Sequence, residues 1–98
     1  MPDDYPSAAA KELYEAILNI NSSDEAANFF RDLLTLAEID EFANRWAIVK
    51  MLYQKQSYAK IASTLGVSTA TVTRVAHWLN HGMGGYKSVA DRLFEQIT

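Results

Sequence analysis

Apolar residues recur at helical spacing along most of the chain, and no run shows the strict alternation that marks a strand. Leu13, Ile17 and Ile20 form one stripe with Tyr14 and Leu18 beside it, which predicts a first helix from about Ser7 to Ile20. Asn21 to Ser23 interrupt the pattern. Ser22, with Glu25 three residues on, then reads as a capping box for a second helix carrying Ala26, Phe29, Phe30, Leu33 and Leu34. Thr35 and Glu38 repeat the device. The third helix runs to about Gln54, with Ile39, Phe42, Ala43, Trp46, Val49, Leu52 and Tyr53 spread over too wide an arc for one neighbour, so it is the expected central helix. Ser57 caps a short helix to Leu65, Gly66 turns the chain, and Ser68 caps another helix that ends near Asn80. His81 to Gly85 reads as a loop. A last helix from Tyr86 to Ile97 shows Tyr86, Val89, Ala90, Leu93, Phe94 and Ile97 at helical spacing. Glycine occurs only at 66, 82, 84 and 85 and proline only at 2 and 6, so the interior offers few breaks. The expectation is one all-α domain spanning residues 1–98, without internal repeats.

Size adds a constraint. A chain of 98 residues buries only about 60 to 65% of the surface that its unfolded form exposes, so surplus apolar surface is expected to go into a partner. Hydrophobic residues make up 49% of the chain and there is no cysteine, which excludes disulfides and thiolate metal sites and fits a reducing, cytoplasmic compartment. No stretch approaches the roughly 18 to 20 continuous apolar residues of a membrane span, and Met1 to Pro6 carries acids where a signal peptide would carry lysines. No membrane partner is expected.

The net charge of -3 argues against nucleic acid until the charges are placed along the chain. Residues 1–41 hold Asp3, Asp4, Glu12, Glu15, Asp24, Glu25, Asp32, Glu38, Asp40 and Glu41 against only Lys11 and Arg31. Residues 42–90 hold no acid at all, but carry Arg45, Lys50, Lys55, Lys60, Arg74 and Lys87, with His77 and His81 in addition. A polyanion-binding face needs this distribution, because phosphate contacts release counterions and nearby carboxylates would oppose them. A solvated basic face, or one neutralised by the acidic helices, is the blander alternative.

The informative stretch runs from Tyr58 to Leu79, two short helices about a glycine-containing turn, the helix-turn-helix pattern. Two helices that cross steeply must touch at a small residue, supplied by Ala62. The tight turn wants a residue tolerant of positive φ, supplied four places later by Gly66. Ile61, Leu65 and Val67 are expected to face Val72 and Val75 in a miniature core. Ser68, Thr69, Ala70, Thr71, Thr73 and Arg74 then point outward at the start of the second helix. These residues are small or hydroxylic, so the helix can enter a major groove closely, donate to phosphates or base edges, and touch thymine methyls. Lys60 on the preceding helix is placed beside the phosphate backbone. A helix built for stability alone would not choose so many β-branched residues, which lower helix propensity. The expected partner is double-stranded DNA, and Ser68, Thr69, Ala70, Thr71, Thr73, Arg74 and Lys60 are the candidate contacts.

Thr35-Leu-Ala-Glu-Ile-Asp-Glu-Phe-Ala-Asn-Arg-Trp-Ala-Ile-Val49, followed by Leu65-Gly-Val-Ser-Thr-Ala-Thr-Val-Thr-Arg74, resembles the tryptophan repressor (TrpR) superfamily, and more closely its YerC/YecD-like branch. The likeness covers about Phe29 to Tyr86. Its most specific element is Ala70-Thr71-Val72-Thr73-Arg74 preceded at a fixed distance by Arg45. The resemblance implies six helices per subunit and an intertwined homodimer. In such a dimer two recognition helices read half-sites one DNA turn apart. It also implies an effector pocket, since the family's co-repressor indole lies between two arginines whose counterparts are Arg45 and Arg74. The family has a glycine and then a small serine lining that pocket, where this chain has Val75 and Trp78. This departure implies that free L-tryptophan is not the co-repressor: Val75 adds bulk, and Trp78 could occupy the indole's place. Trp46 and Trp78 otherwise read as ordinary core aromatics.

An enzyme reading has little to hold, with no cysteine and no Gly-rich phosphate loop. His77 and His81 stand at i,i+4 spacing near a helix end, a pattern that serves as a charge complement or phosphate contact more often than as a metal site, and no third ligand accompanies them. No metal is expected. The remaining alternative is a helix-turn-helix dimer that docks another regulator or a polymerase subunit.

Overall fold

The computed structural model describes residues 4–94, which form six helices in the order α1 (Ala8–Leu18), α2 (Ser23–Leu33), α3 (Leu36–Tyr53), α4 (Tyr58–Leu65), α5 (Thr69–His81) and α6 (Gly85–Phe94), with no strand among them. The chain divides into two compact units, Met1–Ile39 and Asp40–Thr98, with the boundary inside α3.

In the first unit each helix starts at a hydroxyl that accepts an otherwise orphaned N–H. Ser7 Oγ accepts from the Ala10 N–H at 3.0 Å, and Ser22 Oγ from the Glu25 N–H at 3.0 Å. The box expected around Ser22 closes differently from the sequence reading, because the Glu25 carboxylate accepts from the Asn21 N–H at 2.8 Å rather than from the cap itself. Thr35 and Glu38 do form the reciprocal pair, each accepting the other's backbone N–H, at 3.1 and 2.9 Å. The first helix stops at Leu18, two residues short of expectation. Asn19 caps it there, donating from its N–H to the Ala16 carbonyl at 3.0 Å and from its side chain to the Glu15 carbonyl at 2.9 Å, while the Ile20 N–H donates to the Ile17 carbonyl at 3.1 Å. Tyr5 and Tyr14 join hydroxyls at 2.5 Å, and that bond pushes the Tyr14 phenol above its ordinary range. Neither α1 nor α2 contains a buried residue.

The second unit holds the core: Ile48 and Val49 of α3, Ile61 and Ala62 of α4, Val72, Val75 and Ala76 of α5, and Ala90 of α6 are buried. The central role expected of the third helix belongs to its C-terminal part, since Phe42 and Ala43 are exposed. Trp46 is half-buried, with its ring centroid 6.2 Å from Tyr86 and 5.5 Å from Phe94. The Tyr53 hydroxyl donates to the Asp91 carboxylate at 2.7 Å, tying the end of α3 to α6. Lys55, just beyond α3, takes φ 64°, a left-handed conformation in which a side chain is strained. The fifth helix runs one residue past the expected end to His81, where the Gly82 N–H donates to the Trp78 carbonyl at 2.9 Å. The last helix starts one residue early at Gly85, and its expected continuation to Ile97 lies outside the described residues. No described helix is long and apolar enough to cross a membrane.

Candidate nucleic-acid interface

Three local devices set α5 against α4. Ser57 Oγ accepts the Lys60 N–H at 3.1 Å and starts α4. Gly66 ends α4 in the left-handed region at φ 69° and ψ 33°, and the Val67 N–H turns back to the Ala62 carbonyl at 3.1 Å. A Cβ at position 66 would meet no atom within 4 Å, so glycine is required there by backbone conformation and not by space. Ser68 Oγ then accepts the Thr71 N–H at 3.1 Å and starts α5. The turn brings Ile61, Ala62, Val72 and Val75 into one buried cluster, with Leu65 and Val67 half-buried against it.

Burying Val72, Val75 and Ala76 fixes which face of α5 is left outside. Thr69, Ala70, Thr73, Arg74, His77 and Trp78 line a shallow hollow on that outer face. Lys60, Ser68 and Thr71 lie apart from this lining. Lys60 is exposed, Ser68 is committed as the helix cap, and Thr71 is half-buried with its hydroxyl 3.1 Å from that of Ser68. The Thr73 hydroxyl donates to the Thr69 carbonyl at 2.9 Å, which leaves its lone pairs to offer a ligand. Arg74 and Lys60 are exposed and make no ion pair among the described residues, so their charges are available to an incoming anion. No carboxylate lines the hollow, and no acid lies in the first turn of α5, where the unpaired N–H groups of a helix favour negative charge.

The residues expected around an effector are distributed differently. Arg45 pairs with Glu41 one turn earlier on α3, and its guanidinium sits 5.7 Å from the Phe42 ring centroid. Val75 is buried in the core. Neither lines the hollow, which brings together only Arg74 and Trp78 of those four. The reading of Trp78 as a core aromatic is corrected, because the side chain is 54% exposed while Trp46 does pack against the core. The residues around position 78 that face inward are Val75, Ala76 and the half-buried Leu79, and 78 falls on the other side of the helix. His77, singled out in the sequence only as half of a histidine pair, lines the hollow. Its ring is edge-on to Trp78 at 5.1 Å and 5.1 Å from His81. The signal that could have found it was the helical arc through Ala70, Thr73 and Arg74. Among the described residues no group of three or more His, Cys, Asp or Glu side chains could hold a metal ion.

Two short helices about a left-handed glycine, the second capped by serine and presenting an uncovered, hydroxyl-rich and basic face, define an all-helical protein of the helix-turn-helix type. The Trp repressor protein family matches residues 8–94, and the chain belongs to that family. It is 38% identical over 87 residues to the YerC protein of Bacillus subtilis, which covers 89% of this chain and 84% of that one. Among solved structures, a TrpR-like protein from Eubacterium eligens superposes with a TM-score of 0.84 at 41% identity, over 90% of this chain and 91% of its own. A proposed Trp repressor from Staphylococcus aureus superposes with a TM-score of 0.82 at 39% identity, over 89% and 87%.

Proposed function

We propose that this protein is a sequence-specific DNA-binding transcriptional regulator, a repressor, that acts as a homodimer and does not use free L-tryptophan as co-repressor. The observation that carries the reading is the outer face of α5: Thr69, Ala70, Thr73 and Arg74 stand uncovered and without a carboxylate among them, at the end of the helix that a helix-turn-helix inserts into the major groove. Arg74 and Lys60 supply phosphate contacts, and the small side chains at 69, 70 and 73 allow close approach to base edges.

Support for the homodimer comes from the first unit. Leu18 is 84% exposed and Leu33 46% exposed, on helices that contain no buried residue. Helices of this length in water are held by an apolar face packed against a neighbour, and a second copy of the same chain supplies one. Independence from free L-tryptophan rests on Trp78, which places an indole of its own beside Arg74 in the hollow that both line.

The test is a titration of mixed-sequence duplex DNA with the purified protein at increasing salt. Release of about four counterions per dimer makes affinity fall roughly a hundredfold between about 50 and 200 mM salt. Absence of DNA binding at the low-salt end, with a salt-tolerant protein complex in its place, would move the helix-turn-helix to the docking of another regulator or a polymerase subunit.

A further inference from the structure

The candidate DNA face does not stop where the groove-reading residues stop. The same hollow continues along α5 from Thr69 and Ala70, past Thr73 and Arg74, to His77 and Trp78. Trp78 carries the largest side chain on that face and is more than half exposed, edge-on to the His77 ring. Leaving an indole in water forgoes a large burial gain, and an exposed aromatic that joins an otherwise polar face marks a contact surface.

Helix geometry says where on a duplex that surface falls. Trp78 is nine residues beyond Thr69, so it lies about 13 Å behind the first turn of α5 along the helix axis. The major groove is only about 12 Å wide, and a recognition helix enters it by its N-terminal residues. A side chain that far back on the same face has left the bases and reached the lip of the groove, where deoxyribose and phosphate run. We infer that Trp78 is a backbone contact of the DNA complex, its indole face packing on deoxyribose and its N–H donating to a phosphate, with the His77 ring holding the indole in place. This rests on the DNA-binding reading above. Charge complementarity selects the occupant: residues 42–90 carry no acid, so an anionic backbone meets no repulsion there. The indole N–H is a donor and accepts nothing, which suits phosphate oxygen.

The experiment uses the Trp46→Phe protein, in which Trp78 is the only tryptophan, and the Trp78→Phe protein as its complement in case the first is unstable. Acrylamide quenching of the indole is followed while fluorescein-labelled mixed-sequence duplex is titrated at low salt, with duplex anisotropy reporting binding in the same cuvette. Trp78 should be readily quenched in the free protein and lose most of that quenching when the duplex saturates. In parallel, Trp78→Ala should weaken binding about fivefold, one lost hydrogen bond and its packing, and by the same factor for every duplex sequence. Binding by anisotropy with unchanged quenching would overturn this inference and leave the DNA reading standing. Quenching already suppressed before DNA is added would place Trp78 in a protein interface and overturn it as well. No anisotropy change at all would remove both readings together, and a Trp78→Ala variant with altered sequence preference would move the residue from the lip to the bases.

Discussion

The two units of this chain are made of similar amphipathic helices and use them in opposite ways. In Asp40–Thr98, four helices converge on Ile48, Val49, Ile61, Val72 and Ala90, all wholly buried. In Met1–Ile39, α1 and α2 bury no residue, although their apolar stripes are as regular. Charge divides along the same line, with eight acids against Lys11 and Arg31 in residues 1–39 and seven bases against four acids in residues 40–98. The difference teaches that regular periodicity guarantees a helix but not a core. A unit whose stripes are at most half-buried in its own chain leaves apolar surface for the partner proposed above, and the unit with the core is the one that holds α5 rigidly.

The largest expected effect breaks the comparison at its centre. Ile61→Ala removes a wholly buried side chain between α4 and α5 and should cost about 2 to 5 kcal/mol in urea unfolding. Leu18→Ala, at a residue mostly exposed within its own chain, should instead lower stability in a way that depends on protein concentration if the proposed dimer covers it. A Leu18→Ala variant that unfolds like the wild type at every concentration would remove α1 from the interface.

The next effect separates the two units by charge. Arg74→Ala should weaken duplex binding by about tenfold or more, the worth of a charge-assisted contact, with helix content unchanged. Lys11→Ala in the acidic unit should change affinity less than about twofold, the range of a surface charge outside the contact. Equal effects from the two would mean that DNA contact extends into the acidic unit. The smallest effects concern the turns. Gly66→Ala forces a Cβ into the left-handed region and should destabilise by about 1 to 2 kcal/mol. Lys55→Gly relieves the same strain at the end of α3 and should stabilise by up to about 1 kcal/mol in the same urea assay.

What could be read in the sequence was whatever local chemistry determines. Ser7, Ser22, Thr35, Ser57 and Ser68 announced where helices begin because a cap hydroxyl acts on an N–H two or three residues away, and Gly66 announced the turn because few other residues adopt its conformation. The core of α4 and α5 followed from spacing. Facts that depend on distant chain were out of reach: the Tyr53 to Asp91 hydrogen bond spans 38 residues, and no local pattern pairs them. Trp78 failed for a different reason. An indole at helical spacing fits either face of α5, and only the burial of Val72, Val75 and Ala76 on the inner side decides that it lies outside. Thr71 shares its sequence pattern with exposed neighbours, yet it turns halfway inward to join the cap at Ser68.

The most direct test of the central claim, a dimer that reads DNA through α5, is selection of bound sequences from a random duplex pool by the purified protein at near-physiological salt, with and without L-tryptophan. The account predicts a two-fold symmetric motif with half-sites one helical turn apart, the same in both conditions. Failure to enrich any sequence in either condition would contradict sequence-specific recognition by α5, and enrichment only with L-tryptophan present would contradict the effector-independent dimer.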